Sequence, residues 1–311
     1  SYVFPKENIC ITMNAVLLKP IKKYGPLIAC VLFIAAILLF SDPALSASKR
    51  GLLLWFTTML PTLLPYMIAI NVLLYVLPEK SAYAKGFLLL GLLCGYPMGA
   101  KLCASLYQNG TLTRRQAQYY LPLINLPSPA YLISYVCDQS LSAGTQLFAY
   151  LLCIYASAAV YALLSYPFIK KREGGRVSPM SPFAQKETGG AFFDRCIMDA
   201  FIAITKLGGY IILFSILSEL LLQLLAPVSG PLPCLAAGIL EITNGTEIII
   251  GSGLSFYQKR LFILTITSFG GISCIFQTKS LLTDTGISMT RYVFAKIGMA
   301  FLTALFVQLF I

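Results

Sequence analysis

Histidine is absent from the 311 residues, and only 11% of them are charged. Without imidazole there is no His-based metal site, no Ser-His-Asp triad and no Cys-His pair. A soluble domain carries about 25% charged residues. So little charge, with 58% hydrophobic residues and a mean hydropathy of +0.79, excludes a soluble globular chain. Acidic residues are the scarcer sign, 12 against 23 basic, leaving +11. In a soluble protein that excess would point to nucleic acid. Here the bases lie between apolar runs, with no aromatic-interleaved basic patch, so no nucleic-acid partner is expected and the charge is a topology signal. Cysteine is present nine times but never as C-x-x-C, which fits small buried hydrophobes better than a disulfide or metal framework. No P-loop and no G-x-S-x-G occur, so neither ATP-driven pumping nor hydrolysis has support, and no nucleophile–base pair marks an enzyme.

What is there is a series of apolar runs, and they predict an all-α polytopic membrane protein. Lys19, Lys22 and Lys23 precede the run Leu27–Phe40. With Ala44-Leu45-Ser46-Ala47 behind it this run imitates a signal peptide, but the many later spans make it a first transmembrane helix. Leu52–Leu77 follows. The run Gly86–Leu106 is cut by Gly95-Tyr96-Pro97-Met98-Gly99-Ala100-Lys101, and the polar step Asn109–Gln118 comes after it. A Gly-x-Pro-x-Gly cluster cannot stay an unbroken lipid-facing helix, because the freed backbone groups would lack partners. It predicts a broken or re-entrant helix pair. Tyr119–Cys137 is cut by Asn125-Leu126-Pro127-Ser128-Pro129, and Leu147–Ile169 is an ordinary span. Residues 170–190 hold Lys170, Lys171, Arg172, Arg176 and Lys186 and read as a cytoplasmic linker. Beyond it lie an amphipathic stretch, Ala191–Lys206, and a span, Leu207–Leu225. Two more interrupted runs follow, cut at Glu241–Glu247 and at Thr267–Ser273, and then a last span, Tyr292–Ile311.

Residues 51–169 and 191–311 share one grammar: span, broken helix, polar step, broken helix, span. Gly91–Pro97 parallels Gly238–Asn244, Ile124–Pro129 parallels Ile266–Gly271, and Asn71 parallels Glu219. Residues 1–50 form a separate N-terminal segment with the first helix. Counting crossings from a cytoplasmic N-terminus makes the two halves inverted repeats, although it leaves Lys49, Arg50, Lys259 and Arg260 outside. Inverted repeats with broken helices in matching positions point to a secondary transporter's midplane site.

The candidate site residues cluster at these breaks. Lys101, Glu241 and Glu247 are charges in or beside apolar runs, where an uncompensated charge costs roughly 2.5–3.5 kcal/mol even on the lenient insertion scale. Lys101 and Glu247 align within one residue across the repeats, so mutual pairing is an alternative to a substrate or coupling-ion role. Asn125, Ser128, Thr243, Asn244, Ser268 and Ser273 offer amides and hydroxyls beside unwound backbone, where NH groups favour anions and carbonyls favour cations. Gly95, Pro97, Gly99 and Gly270 allow close backbone approach, or equally close helix packing.

These motifs resemble a known family. Trp55…Pro61-Thr62-Leu63-Leu64-Pro65-Tyr66, the Gly95–Lys101 stretch, Leu112-Thr113, Leu240-Glu241-Ile242-Thr243-Asn244-Gly245 and Ser268-Phe269-Gly270-Gly271-Ile272-Ser273 are similar to the YlbJ family of sporulation integral membrane proteins, which sits with the nucleoside-recognition (Gate) domain proteins. The resemblance spans about residues 50–311. It implies a relationship to concentrative nucleoside transporters, a site built from two hairpins and interrupted helices, and a role in moving dipicolinic acid across the outer forespore membrane of a sporulating bacterium. Two positions depart from the family pattern: Asn-x-Ser-Gly-Pro is Asn125-Leu126-Pro127-Ser128-Pro129 here, and a frequent His is Ile275.

The expectation is therefore a secondary transporter of a small anionic or nucleoside-like solute in a lipid bilayer. It needs no cofactor beyond a coupling H+ or Na+, and a homo-oligomer is compatible with it. The rival is a non-transporting membrane assembly or signalling factor on the same scaffold.

Overall fold

The computed structural model describes residues 24–76, 86, 88–141, 144–167, 190–283 and 285–311. The basic cluster Lys19, Lys22 and Lys23 and the linker before Gly190 lie outside the described residues. Among the described residues there is no strand.

Helix α1, Tyr24–Leu39, is followed directly by α2, Ser41–Leu54, a π-turn Trp55–Met59, and α3, Leu60–Val76. The second span thus begins at Ser41 and not at Leu52, and Lys49 and Arg50 are helical residues instead of loop charges. Next come α4, Leu88–Cys94, and α5, Met98–Gln108. Then α6, Arg114–Ile124, starts on a Thr113 capping box closed by Gln116. That box shortens the polar step expected to run to Gln118, because the cap satisfies the first backbone donors and lets the helix begin early. A short turn, α7, Pro129–Tyr131, runs on as a π-helix through Ser140. Helix α8 is Leu147–Ser165. The second half opens with α9, Gly190–Leu224, which joins the amphipathic stretch and the following span in one 35-residue helix. It continues with α10, Leu232–Leu240; α11, Ile242–Gly251; α12, Phe256–Phe269; α13, Gly271–Leu281; and α14, Met289–Phe310.

Among the described residues five helical stretches are long and apolar enough to cross a bilayer: Ser41–Leu73, Leu147–Ser165, Gly190–Leu224, Phe256–Leu281 and Met289–Phe310. Burial is inverted relative to a water-soluble bundle. Leu39, Phe148, Leu163, Phe294 and Phe301 are at least 70% exposed, whereas Asn125, Ser157, Ser268, Thr278, Lys296 and Thr303 are completely buried. Lipid solvates the outer apolar side chains at no cost, so the polar groups turn inward to find partners. The chain is an integral, multi-pass membrane protein.

Two of the breaks reverse the chain. Gly91 and Gly99 meet across α4 and α5, and Gly238 and Gly245 meet across α10 and α11. Residues seven or eight apart in a straight helix would stand roughly 10–12 Å away from each other, so each pair folds back as a hairpin. The arms have 7–11 residues, about half a hydrocarbon core in length. The same neighbour recurs in both halves: Gly91 packs on Ile124 and Gly238 on Ile266, residues the sequence alignment of the halves had paired. The backbone approach requires glycine, because a Cβ on Gly245 would collide with the Gly238 backbone.

Candidate functional site

Each break has its own local cause. At the first, Gly95 takes φ +74 and Pro97, which lacks an N–H, precedes Met98 as the N-cap of α5. The Tyr96 N–H donates to the Leu126 carbonyl at 2.8 Å, and the Ala100 N–H donates to Asn125 Oδ1 at 3.2 Å. The first break is thus bonded to the second, where Pro127 and Pro129 end one helix and Ser128 starts the next, its Oγ accepting from the Tyr131 N–H at 3.2 Å. At the third break a single residue, Glu241, is extended (φ −146, ψ 122), and its Oε2 accepts from the Asn244 N–H at 2.7 Å. At the fourth, Gly270 (φ +92) and Gly271 (φ +76) both take left-handed backbone where α12 gives way to α13. The sequence had broken these runs over seven residues each. The helix keeps the flanks because their polar side chains bond locally, as Thr246 Oγ1 does to the Ile242 carbonyl at 2.7 Å.

All four breaks converge. Pro97, Ser128, Glu241 and Gly270 are the N-caps of α5, α7, α11 and α13, and all four line one cavity of about 590 Å³. Its volume falls in the range of roughly 300–1,000 Å³ usual for small-molecule sites. Tyr66, Tyr96, Tyr131 and Tyr135 supply aromatic wall, and Tyr131 and Tyr135 stack at 5.3 Å between ring centres. The Tyr135 hydroxyl donates to the Thr243 carbonyl at 3.2 Å, tying the first half to α11. The Tyr96 hydroxyl is buried and has no protein partner; the Tyr131 hydroxyl lies beside Thr243 without hydrogen-bond geometry. Two carboxyl groups, Glu241 and Glu247, line the cavity. Its one lining base, Arg50, already bonds Glu219 Oε2 at 2.7 Å.

Comparison with known proteins follows from this geometry. No family model matches the chain, and no solved structure matches it. The "Sporulation integral membrane protein YlbJ" of Bacillus subtilis (strain 168) is 26% identical to it over an alignment of 325 residues, covering 88% of this chain and 79% of the relative. The chain is similar to this YlbJ protein over most of its length. The alignment takes in most of both chains.

The residues selected from the sequence divide into two groups. Pro97, Ser128, Glu241, Thr243, Asn244, Glu247, Gly270 and Ser273 line the cavity. Gly95, Gly99, Lys101, Asn125 and Ser268 do not. Gly95 and Gly99 pack against the second break, Gly95 on Ser128 and Gly99 on Ile124. Asn125 is saturated: its Nδ2 donates to Thr278 Oγ1 at 2.9 Å and to the Tyr292 hydroxyl at 2.8 Å, while its Oδ1 accepts from Ala100. Ser268 Oγ is held by Thr303 Oγ1 at 2.9 Å. Lys101 lies in electrostatic reach of Asp199 on α9 and makes no ion pair with Glu247, so the two residues that align across the halves occupy different places. The sequence reading passed over Lys296, fully buried in α14, with its Nζ 3.4 Å from the Asn125 carbonyl and 5.9 Å from the Tyr96 ring centre. The signal was present: a charge inside an apolar span, the same criterion that selected Lys101, but away from any break.

Proposed function

We propose that the chain is a secondary transporter that moves a small solute through this cavity, acting in sporulation as the name of its YlbJ relative has it. The observation that carries the reading is the meeting of four helix breaks, drawn from both halves, at one polar cavity. A scaffold without a transported ligand has no need to keep Glu241 and an unpartnered Tyr96 hydroxyl there, and a non-transporting assembly factor would more economically pack the breaks dry. The halves would act as inverted repeats, with the two hairpins moving against the wall of α2, α3 and α9.

Charge selects among solutes. Helix N-termini favour anions, but Glu241 already occupies the N-terminus of α11, and Glu247 adds a second carboxyl group against a base that is paired elsewhere. The cavity therefore favours an uncharged, ring-bearing solute with hydrogen-bond donors, which stacks on the tyrosines and donates to the carboxylates. A nucleoside-like molecule fits this description. Dipicolinate, a dianion, is the poorer match to a lining that carries two carboxyl groups.

Uptake by proteoliposomes of labelled uridine and labelled dipicolinate tests the reading. Wild type should accumulate one of them, and Glu241→Gln should lower transport by ~10-fold or more, the effect of losing a charged acceptor worth about 1.5–3 kcal/mol. No uptake of either, together with no shift in thermal unfolding by nucleosides or dipicolinate, would overturn it.

A further inference from the structure

Each interrupted helix has two ends. The N-termini of the outgoing segments line the cavity, as described. The C-termini of two incoming segments meet around Lys296, which packs on the cavity-lining residues Tyr96 and Gly270. Asn125 is the C-cap of α6 and Gly270 the C-cap of α12. The Lys296 Nζ donates to the Asn125 carbonyl at 3.4 Å, and its Cε stands 3.7 Å from where a Cβ on Gly270 would be. The ammonium also lies over the Tyr96 ring at 5.9 Å, so one side chain touches the first, second and fourth breaks. It is completely buried, and among the described residues no carboxylate lies within ion-pair distance of it. A buried lysine without a counter-ion is costly. What compensates it here is the Asn125 carbonyl at the negative end of α6, together with the face of an aromatic ring, while its Cε packs on the end of α12.

In transporters built from broken helices, unwound carbonyls and half-helix C-terminal ends are where a coupling cation binds. We propose that the Lys296 ammonium is a built-in cation that takes this place, so that the chain holds its two incoming half-helices together and works without Na+. As a statement about coupling this rests on the transporter reading; its test does not.

The test uses the purified full chain in nanodiscs, with thermal unfolding measured in NaCl, KCl and choline chloride at equal ionic strength. Wild type should unfold at one temperature in all three salts. Lys296→Arg, which keeps the charge, should stay near wild type in choline. Lys296→Met should unfold ~3–6 °C lower in choline, and Na+ or K+ should recover part of that loss by filling the vacated position. A saturable, Na+-specific rise in the wild-type midpoint would overturn the inference, as would a Lys296→Met chain matching wild type in every salt. Should Lys296→Met fail to fold, the wild-type salt series still decides. A chain that shows the expected salt pattern yet transports neither test solute would retain the built-in cation and lose the transporter reading.

Discussion

At the scale of single residues, the four breaks differ in what they demand of their glycines. Gly270 needs a left-handed backbone at φ +92, yet the nearest atoms to an added Cβ stand at 3.6 Å. Gly245 is helical but has the Gly238 backbone against it. Gly270→Ala should therefore cost about 1–2 kcal/mol, the penalty of a left-handed L-residue. Gly245→Ala should cost about 3 kcal/mol or more, because backbone cannot move aside as a side chain can. Denaturant or thermal unfolding of the two variants in one detergent would rank them, and equal losses would contradict the contact at the hairpin. The sequence showed that glycines cluster at the breaks but could not distinguish these two uses. Spacing reports which residues are near in the chain, whereas the Gly238–Gly245 approach exists only after the hairpin closes. Asn125 misled in the same way. An amide beside two prolines looks free for a ligand, and its three internal partners come from residues 100, 278 and 292.

At the scale of elements, one contact joins the halves outside the cavity. The Trp55 indole Nε1 donates to the Ile204 carbonyl at 2.9 Å, and its ring lies on Gly208 of α9, where a Cβ would stand 2.6 Å from it. The π-turn Trp55–Met59 sets that ring between α2 and α3. Gly208→Ala should push the ring from its notch at a cost of about 1–3 kcal/mol. Trp55 is the chain's one tryptophan, so intrinsic fluorescence reads this contact alone, and the emission of Gly208→Ala should shift while that of a distant variant such as Ser134→Ala should not. The five long apolar stretches were legible in order, since about 20 apolar residues with few charges leave little choice, whereas the run Leu27–Phe40, expected as a first transmembrane helix, forms the shorter α1 and is not among them. Span ends were less so. Ser41–Leu54 carries Asp42, Lys49 and Arg50 and reads as a loop by charge, but Arg50 is neutralised by Glu219 on α9, a partner 169 residues away. Lys259 is similarly engaged, with the Ile250 carbonyl at 2.6 Å. Bases held by internal partners weigh less in a charge-based orientation argument than free loop charges do.

At the scale of the whole molecule, the cysteines map access. Cys94 and Cys274 line the cavity, whereas Cys103, Cys137 and Cys153 are buried in the apolar clusters around it. A small water-soluble thiol reagent should modify Cys94 and Cys274 before Cys103, Cys137 and Cys153, and a transported solute should slow that reaction. Mass spectrometry of the labelled chain with and without solute checks this, and faster modification of Cys103 than of Cys274 would contradict a water-reached cavity. The inward placement of polar groups was readable as a class from composition. Which of them would meet was not, because the cavity gathers residues from position 50 to position 277.

The matching contacts Gly91–Ile124 and Gly238–Ile266 bear on the order of assembly. Each closes within its own half, so the hairpin and the interrupted helix it crosses form a unit that does not need the other half to define it. Such a unit can close as soon as its own stretch of chain is in the bilayer, before the rest of the chain is there to pack on it.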